Sequence, residues 1–358
     1  MGTFVRREND YQEVGGNIEK VCLELQRGQV MIILYAVQGT GNGHISRAIQ
    51  LYPFLKEYGK VDFYISGSNS DLKTSLPIIG RSKGVSLFYK PTGELDYFKV
   101  IKTFSFKIFI DAYKLPVDKY DLVINDFDFV TSVACMFKNT KSIQFGHQAS
   151  FHSKKTPRSP IKNVVGEFIL KYFVRSTHFI GLHFKPYDSN IFNPIIKQEI
   201  IDATPSDNGH IAVYLPHYSI KFLEPYLLKQ SKYHFEVFSS EVKAIRNFKN
   251  IIYFPISNSG FTESMICSHA VITGGGFETP AEAMYMNKKV LSIPIANHYE
   301  QLSNATALRE LGVKVILKID SNFDAIFSDW INHAQPVKLE LTHSTKAIVA
   351  QLIKQTQN

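Results

Sequence analysis

The chain has 358 residues, more than one compact core accommodates and suited to two domains of ordinary size. Apolar residues make up 44% and charged residues 20%, the balance of a globular protein and not of a disordered or fibrous one. A net charge of +8 suits an anionic ligand or an acidic surface, but no helix-turn-helix, zinc-finger or RNA-recognition signature accompanies it, which argues against nucleic acid as the partner.

Cys22, Cys135 and Cys267 are scattered without metal-ligand spacing, as expected for reduced thiols of a cytoplasmic protein. No apolar run reaches the length of a membrane span. Residues 1–30 carry Arg6 and Arg7 but lack the apolar stretch of a signal peptide, and a strong strand begins only at Met31. They read as a flexible, dispensable extension.

Met31 to Val37 is a continuous apolar run, the pattern of a strand buried on both faces of a parallel sheet. It breaks at Gln38-Gly39-Thr40-Gly41-Asn42-Gly43-His44, and a helix follows from about Ile45. The glycines fall one residue short of the dinucleotide fingerprint, and the next strand, Val61 to Ile65, lacks the acidic residue at its end. No lysine follows them, so this is not a Walker loop either.

A third strand, Tyr120 to Asn125, ends in Asp126-Phe127-Asp128, and a fourth, Ser142 to Phe145, leads into Gly146-His147-Gln148. Asp126-x-Asp128 reads as a helix cap, a surface turn or, less readily, a pair of metal ligands. Aromatic and basic residues interleave over 97–109 and again over 152–175. In the latter, Ile161, Val164, Val165, Phe168, Ile169, Tyr172 and Phe173 give a helix one apolar face. Such a face packs on its own domain or, with its basic flanks, lies on an anionic membrane surface.

The polar stretch from Asp202 to Gly209 reads as a linker. Beyond it, strands at Ile211 to Leu215, Phe235 to Phe238 and Ile251 to Tyr253 alternate with helices, which predicts a second parallel sheet. A last amphipathic helix covers Lys346 to Ile353. We therefore expect an α/β protein of two Rossmann-like, doubly wound domains.

The most informative stretch runs from Val271 to Asn304. A short apolar strand breaks at Gly274-Gly275-Gly276, and a helical pattern resumes near Thr279, with Pro280 suited to its first turn. Glycines let the backbone approach a ligand, and the helix start offers unpaired N–H groups and partial positive charge to an anion. Thr279 adds a hydroxyl to that site, and Glu282, one turn in, offers a carboxylate to sugar or ribose hydroxyls. A second strand ends at the polar cluster His298, Glu300, Gln301 and Asn304. Together these read as a diphosphate site flanked by hydroxyl-binding groups; the plainer reading is a strand–turn–helix packing element.

At these residues the chain resembles nucleotide-sugar glycosyltransferases of the GT-B fold, in particular the lipid-II-forming N-acetylglucosaminyltransferases and the UDP-glycosyltransferases. The resemblance implies two Rossmann-like domains facing a cleft: residues 31–200, joined by the C-terminal helix 340–358, on the acceptor side, and 205–338 on the donor side. It implies that Gly274, Gly275, Gly276, Phe277 and Thr279 hold the diphosphate, Glu282 the ribose, and Glu300, Gln301 and Asn304 the donor sugar, with Ile256 flanking the base. The chain departs from the plant-type pattern where Gly274 and Phe277 replace a His and a Trp. In the first loop, Gly41, Asn42 and Gly43 would line the acceptor side and His44 would be the general base, oriented by Asp126; His147 is the alternative base, and a helix-capping His44 the plain alternative.

The activity so implied is transfer of a sugar, with inversion, from a UDP-sugar co-substrate to a hydroxyl of a glycan or lipid-linked acceptor, with no cofactor and no essential metal. It would take place in the cytoplasm, peripheral to the inner face of the plasma membrane. The rivals are a sugar-nucleotide epimerase and a non-catalytic sugar-nucleotide binding module.

Overall fold

A computed structural model describes residues 30–39, 43–67, 75–85, 88, 96, 98–99, 102 and 104–355. The extension 1–30, apart from its last residue, and the loop residues Gly41 and Asn42 lie outside these.

The first half is an open sheet with the strand order β3-β2-β1-β4-β5-β6-β7, parallel throughout. Its elements in chain order are β1 (Met31–Gln38), α1 (Gly43–Leu55), β2 (Gly59–Ser66), β3 (Ile78–Ser82), α2 (Lys107–Lys114), β4 (Leu122–Asp126), α3 (Phe129–Lys138), β5 (Ile143–Gly146), α4 (Val164–Tyr172), β6 (His178–Leu182) and β7 (Ile191–Phe192). The apolar run of β1 is explained by burial on both sides. Ile33, Tyr35 and Val37 pack beneath α1, while Leu34 and Ala36 meet α2 and α3 through Ile108, Ala112, Val130 and Ala134.

After α5 (Gln198–Ile201) the chain enters a second sheet of order β10-β11-β9-β8-β12-β13-β14, parallel except for the β10–β11 pair. It comprises β8 (His210–Tyr214), α6 (Ile220–Lys229), β9 (His234–Ser239), β10 (Arg246–Phe248), β11 (Ile251–Pro255), α7 (Asn258–Cys267), β12 (Ala270–Gly274), α8 (Glu278–Tyr285), β13 (Lys289–Ile293), α9 (Tyr299–Glu310), β14 (Lys314–Val315) and α10 (Phe323–His333). Phe323, Phe327 and Trp330 of α10 fill one face, and the Trp330 indole N–H donates to the Val290 carbonyl at 3.2 Å.

The final helix, α11 (Thr345–Lys354), buries Ile348, Val349, Leu352 and Ile353 in the apolar cluster that holds α1, and Lys346 pairs with Glu57 at 3.3 Å. That cluster continues through Phe277, Ala281 and Met284 of the second half, so a single core spans both sheets. In a parallel sheet the C-terminal strand ends share one edge, where open α/β folds bind ligands. Here the two such edges face each other.

Candidate active site

The C-terminal end of β4 carries Asp126, fully buried beside β1. Phe127 follows in the left-handed region (φ 61°), a costly conformation for a bulky residue. Asn125 holds it there: its side chain donates to the Asp128 carbonyl (2.9 Å) and accepts from the Asp128 N–H (2.7 Å). The kink separates the two acidic side chains. Asp128 caps α3, accepting from the Thr131 N–H at 2.6 Å and from the Ser66 hydroxyl. Asp126 turns towards the cleft.

Four groups converge on it. His44 Nδ1 lies 2.8 Å from Oδ1, Arg47 donates through Nη2 to Oδ1 (2.9 Å) and through Nε to Oδ2 (3.0 Å), and the Tyr35 hydroxyl donates to Oδ2 (3.2 Å). The fourth, Gly146, contributes by what it lacks: a Cβ there would stand 2.8 Å from Oδ1 and 3.0 Å from Nη2. Burial alone would push the Asp126 carboxyl up, but Arg47 and His44 overcome it and hold the group at about 2. Asp126 Oδ1 and Arg47 Nη2, the latter at 3.0 Å, both approach His44 Nδ1; the tautomer that carries its proton on Nδ1 satisfies the carboxylate and leaves the Nε2 lone pair to a substrate. Nε2 has no hydrogen-bond partner among the described residues.

Arg47 also reaches across the cleft, donating through Nη1 to Glu278, the first residue of α8. Burial raises the Glu278 carboxyl against the pull of Arg47 and His44. His147, at the end of β5, crosses as well: Nδ1 faces the Leu182 carbonyl (3.0 Å), Nε2 faces Asn304 Oδ1 (2.8 Å), and the ring stacks on Phe277 at 4.2 Å. Both its ring nitrogens face oxygens of the protein, to one of which a neutral ring donates, an arrangement suited to holding the halves together. Burial keeps its pKa low, opposed by Glu300.

On the other side, the three glycines do different things. At Gly275 a Cβ would press on Pro294 (2.7 Å) and on the Gln301 carbonyl (2.9 Å), so this glycine serves packing. At Gly276 a Cβ would meet nothing within 4 Å; here the backbone faces open space at the start of α8. The helix begins at Glu278, one residue before the expected start, with Phe277 as a cap that offers no side-chain acceptor to the first N–H groups.

Glu282 is buried one turn in and paired with Lys197 Nζ at 3.3 Å; Lys197 also donates to Thr262 at 3.3 Å. Burial lifts the Glu282 carboxyl to about 7, with Lys197 opposing. Gln301 Oε1 accepts from the Ile295 N–H (3.0 Å), Asn304 donates to the Gly275 carbonyl (3.1 Å), and Glu300 accepts from Gln148 across the cleft (3.3 Å). Asn304 and Gln301 thus brace the glycine turn from behind. Ile256 follows β11, partly exposed, and Ser219 caps α6. Among the described residues no three His, Cys, Asp or Glu side chains gather closely enough to hold a metal ion.

A family model described as glycosyl transferase family 1 matches residues 31–331. The chain belongs to glycosyl transferase family 1. Solved structures agree on the fold: the spinosyn forosaminyltransferase SpnP superposes with a TM-score of 0.59 at 13% identity, over 92% of this chain and 100% of its own. Arabidopsis thaliana UGT89C1 complexed with UDP gives 0.54 at 11% identity over 92% and 95%, and Acinetobacter baumannii MurG gives 0.50 at 14% over 91% and 100%. No match is found among curated proteins. The protein is a glycosyltransferase of the GT-B fold.

Sequence reasoning missed three residues of this candidate site: Arg47, Glu278 and Lys197. Arg47 lies three residues beyond His44, hence on the same helix face, which was the available signal. Nothing in the sequence marks Glu278 or Lys197 as partly buried ion-pair partners.

Proposed function

We propose that the enzyme is an inverting transferase that moves a sugar from a UDP-sugar to a hydroxyl of a glycan or lipid-linked acceptor. The observation that carries this reading is the His44–Asp126 pair at 2.8 Å, set opposite the start of α8. His44 Nε2 takes the proton of the acceptor hydroxyl as its oxygen attacks the anomeric carbon. The bond from that carbon to the diphosphate breaks on the opposite face, which inverts the centre. The departing diphosphate gathers charge at the N–H groups around Gly276 and Phe277; one such donor is worth on the order of 3 kcal/mol in other enzymes. Protonating His44 makes the cluster electroneutral, with Arg47 and His44 against Asp126 and Glu278.

No metal ion is needed in this scheme, since Arg47, His44 and Tyr35 already occupy the Asp126 oxygens. Glu282 accepts from the ribose hydroxyls, Ile256 flanks the base, and Thr279, Glu300 and Gln301 reach the phosphate and the sugar. The acceptor side comprises residues 31–200 with 340–358, the donor side residues 205–338. A likeness to UGT89C1 complexed with UDP supports the choice of nucleotide.

A cytoplasmic enzyme resting on the inner face of the plasma membrane accounts for two exposed surfaces. Phe104, Phe106, Phe109 and Phe137 form a cluster of touching rings beside exposed Lys107 and Lys114. Helix α4 packs Leu170 against Phe151, and Phe173 beyond it packs on Phe127 and Phe129, but Val164 is left at 82% and Phe168 at 61% exposure, so the apolar face is only partly covered by its own domain. Among the described residues no helix is long and apolar enough to cross a membrane.

A thermal-shift and calorimetric screen of UDP-, GDP-, dTDP- and CMP-sugars tests the donor assignment. A UDP-sugar should bind the wild type and lose affinity in Glu282→Ala. Binding of none of them, or binding indifferent to that change, would overturn it.

A further inference from the structure

We infer that Arg47 is the positioning residue that carries donor occupancy across the cleft to the His44–Asp126 pair. This rests on the reading of the start of α8 as the diphosphate site.

Arg47 is 3% exposed, and each nitrogen of its guanidinium is committed. Nε and Nη2 grip the two oxygens of Asp126, while Nη1 grips Glu278 of the opposite half. A planar fork held at two corners by one carboxylate has little freedom at the third, so the position of Glu278 and the orientation of Asp126 are fixed together. A lysine has no such geometry.

Glu278 is tied to the first half a second way. A Cβ on Gly43 would lie 3.3 Å from Glu278 Cγ, so the stem of this side chain rests on the backbone one residue before His44. The first residue of α8 therefore touches both the start of α1, which bears His44, and the cation that orients the partner of His44.

Glu278 also sits in the first turn of α8, where the helix end attracts negative charge. A diphosphate arriving at Gly276 enters beside this carboxylate. With Arg47 holding Glu278 towards the first half, the helix end stays open to the incoming anion. Any adjustment of Glu278 as the diphosphate arrives is met by Arg47, because a buried charge cannot be left unpaired cheaply. The same contact then resets His44 against the donor.

The test is amide hydrogen exchange on the full chain, with and without UDP, for the wild type, Glu278→Gln and Arg47→Lys, alongside UDP calorimetry. Glu278→Gln keeps an acceptor for Arg47 and leaves the Asp126 grip intact, so the protein folds; Arg47→Lys keeps the charge and removes the fork. In the wild type, UDP should slow exchange in Glu278–Tyr285 and also in Gly43–Leu55. In Glu278→Gln, UDP at a concentration that calorimetry shows to saturate the variant should still protect Glu278–Tyr285, but lose most of its effect on Gly43–Leu55. Arg47→Lys should show the same loss.

If protection of Gly43–Leu55 by UDP survives both substitutions, Arg47 is not the link. If exchange without UDP rises across the whole chain in Glu278→Gln, including β4 and α3, the pair serves only stability and the proposal also fails. Absence of UDP protection over Glu278–Tyr285 in the wild type would instead remove the donor-site reading, and the proposal with it.

Discussion

Asp126 in one half and Glu282 in the other are buried carboxylates near the cleft, and the two are treated in opposite ways. Asp126 has four protein hydrogen-bond partners' worth of contact: two arms of Arg47, the His44 ring and the Tyr35 hydroxyl. Its charge is compensated and its pKa falls to about 2. Glu282 has Lys197 at 3.3 Å, and burial outweighs that pairing, lifting the group to about 7. A carboxylate provided with every partner is a structural charge, fit to orient a neighbour. One left short of partners is a binding charge, since hydroxyls of a ligand can supply the missing hydrogen bonds. Burial is alike in the two; the supply of donors decides the role.

The largest test of this contrast is to delete each carboxylate. Asp126→Ala leaves the Arg47 guanidinium buried with Glu278 alone, and removing one member of such a pair costs about 3–5 kcal/mol. Glu282→Gln discards a charge that burial already disfavours, and should leave urea stability near pH 8 unchanged or raised. Equal losses in the two variants would dissolve the distinction. A comparable effect on chemistry is expected at the partner of Asp126. His44→Gln should lower sugar transfer by about 10²–10⁴-fold, the usual span for a general base, while UDP titrations match the wild type.

The pH dependences have opposite signs. The folded pKa of Asp126 is depressed, so its contribution is present above the unfolded value and is lost as pH falls through about 2. That of Glu282 is raised: the folded state holds a proton the unfolded state has released, and stability declines as pH rises from the unfolded value through about 7. At about 1.4 kcal/mol per pH unit of difference, the Glu282 effect is on the order of 3 kcal/mol. Melting curves of the wild type should therefore show a decline between about pH 5 and 8 that Glu282→Gln removes. UDP affinity should rise over the same interval, because the ionised carboxylate is the form that accepts from hydroxyls. Affinity flat in pH would detach Glu282 from the ribose.

Much of this architecture was legible in the sequence. Apolar runs such as 31–37 and 270–272, each followed by glycines and a helical period, specify parallel strands and the turns at their ends. The kink after Asn125 was not, nor was the Arg47–Glu278 contact. Helix patterns assign charged residues to solvent, and only knowledge of the facing half shows a partly buried pair. His147 looked equivalent to His44, each being a histidine just beyond a strand end. Leu182 and Asn304, 35 and 157 residues away along the chain, are what distinguish them. Helix α4 shows the opposite limit: periodicity announced an apolar face, but which surface covers it is no property of the segment itself.

The smallest predicted effect separates two adjacent residues within the donor half. Gly275→Ala presses a methyl group onto Pro294 and the Gln301 carbonyl, and backbone yields poorly, so overpacking should cost about 1–3 kcal/mol. The displaced turn would carry Asn304 with it, because that amide donates to the Gly275 carbonyl. Gly276→Ala meets no atom within 4 Å and should melt like the wild type. Its methyl group would nonetheless stand in the space where a phosphate approaches the start of α8, so UDP binding should weaken. A stable Gly276→Ala protein that binds UDP normally would place the diphosphate away from this turn, and with it the binding role assigned to Glu282.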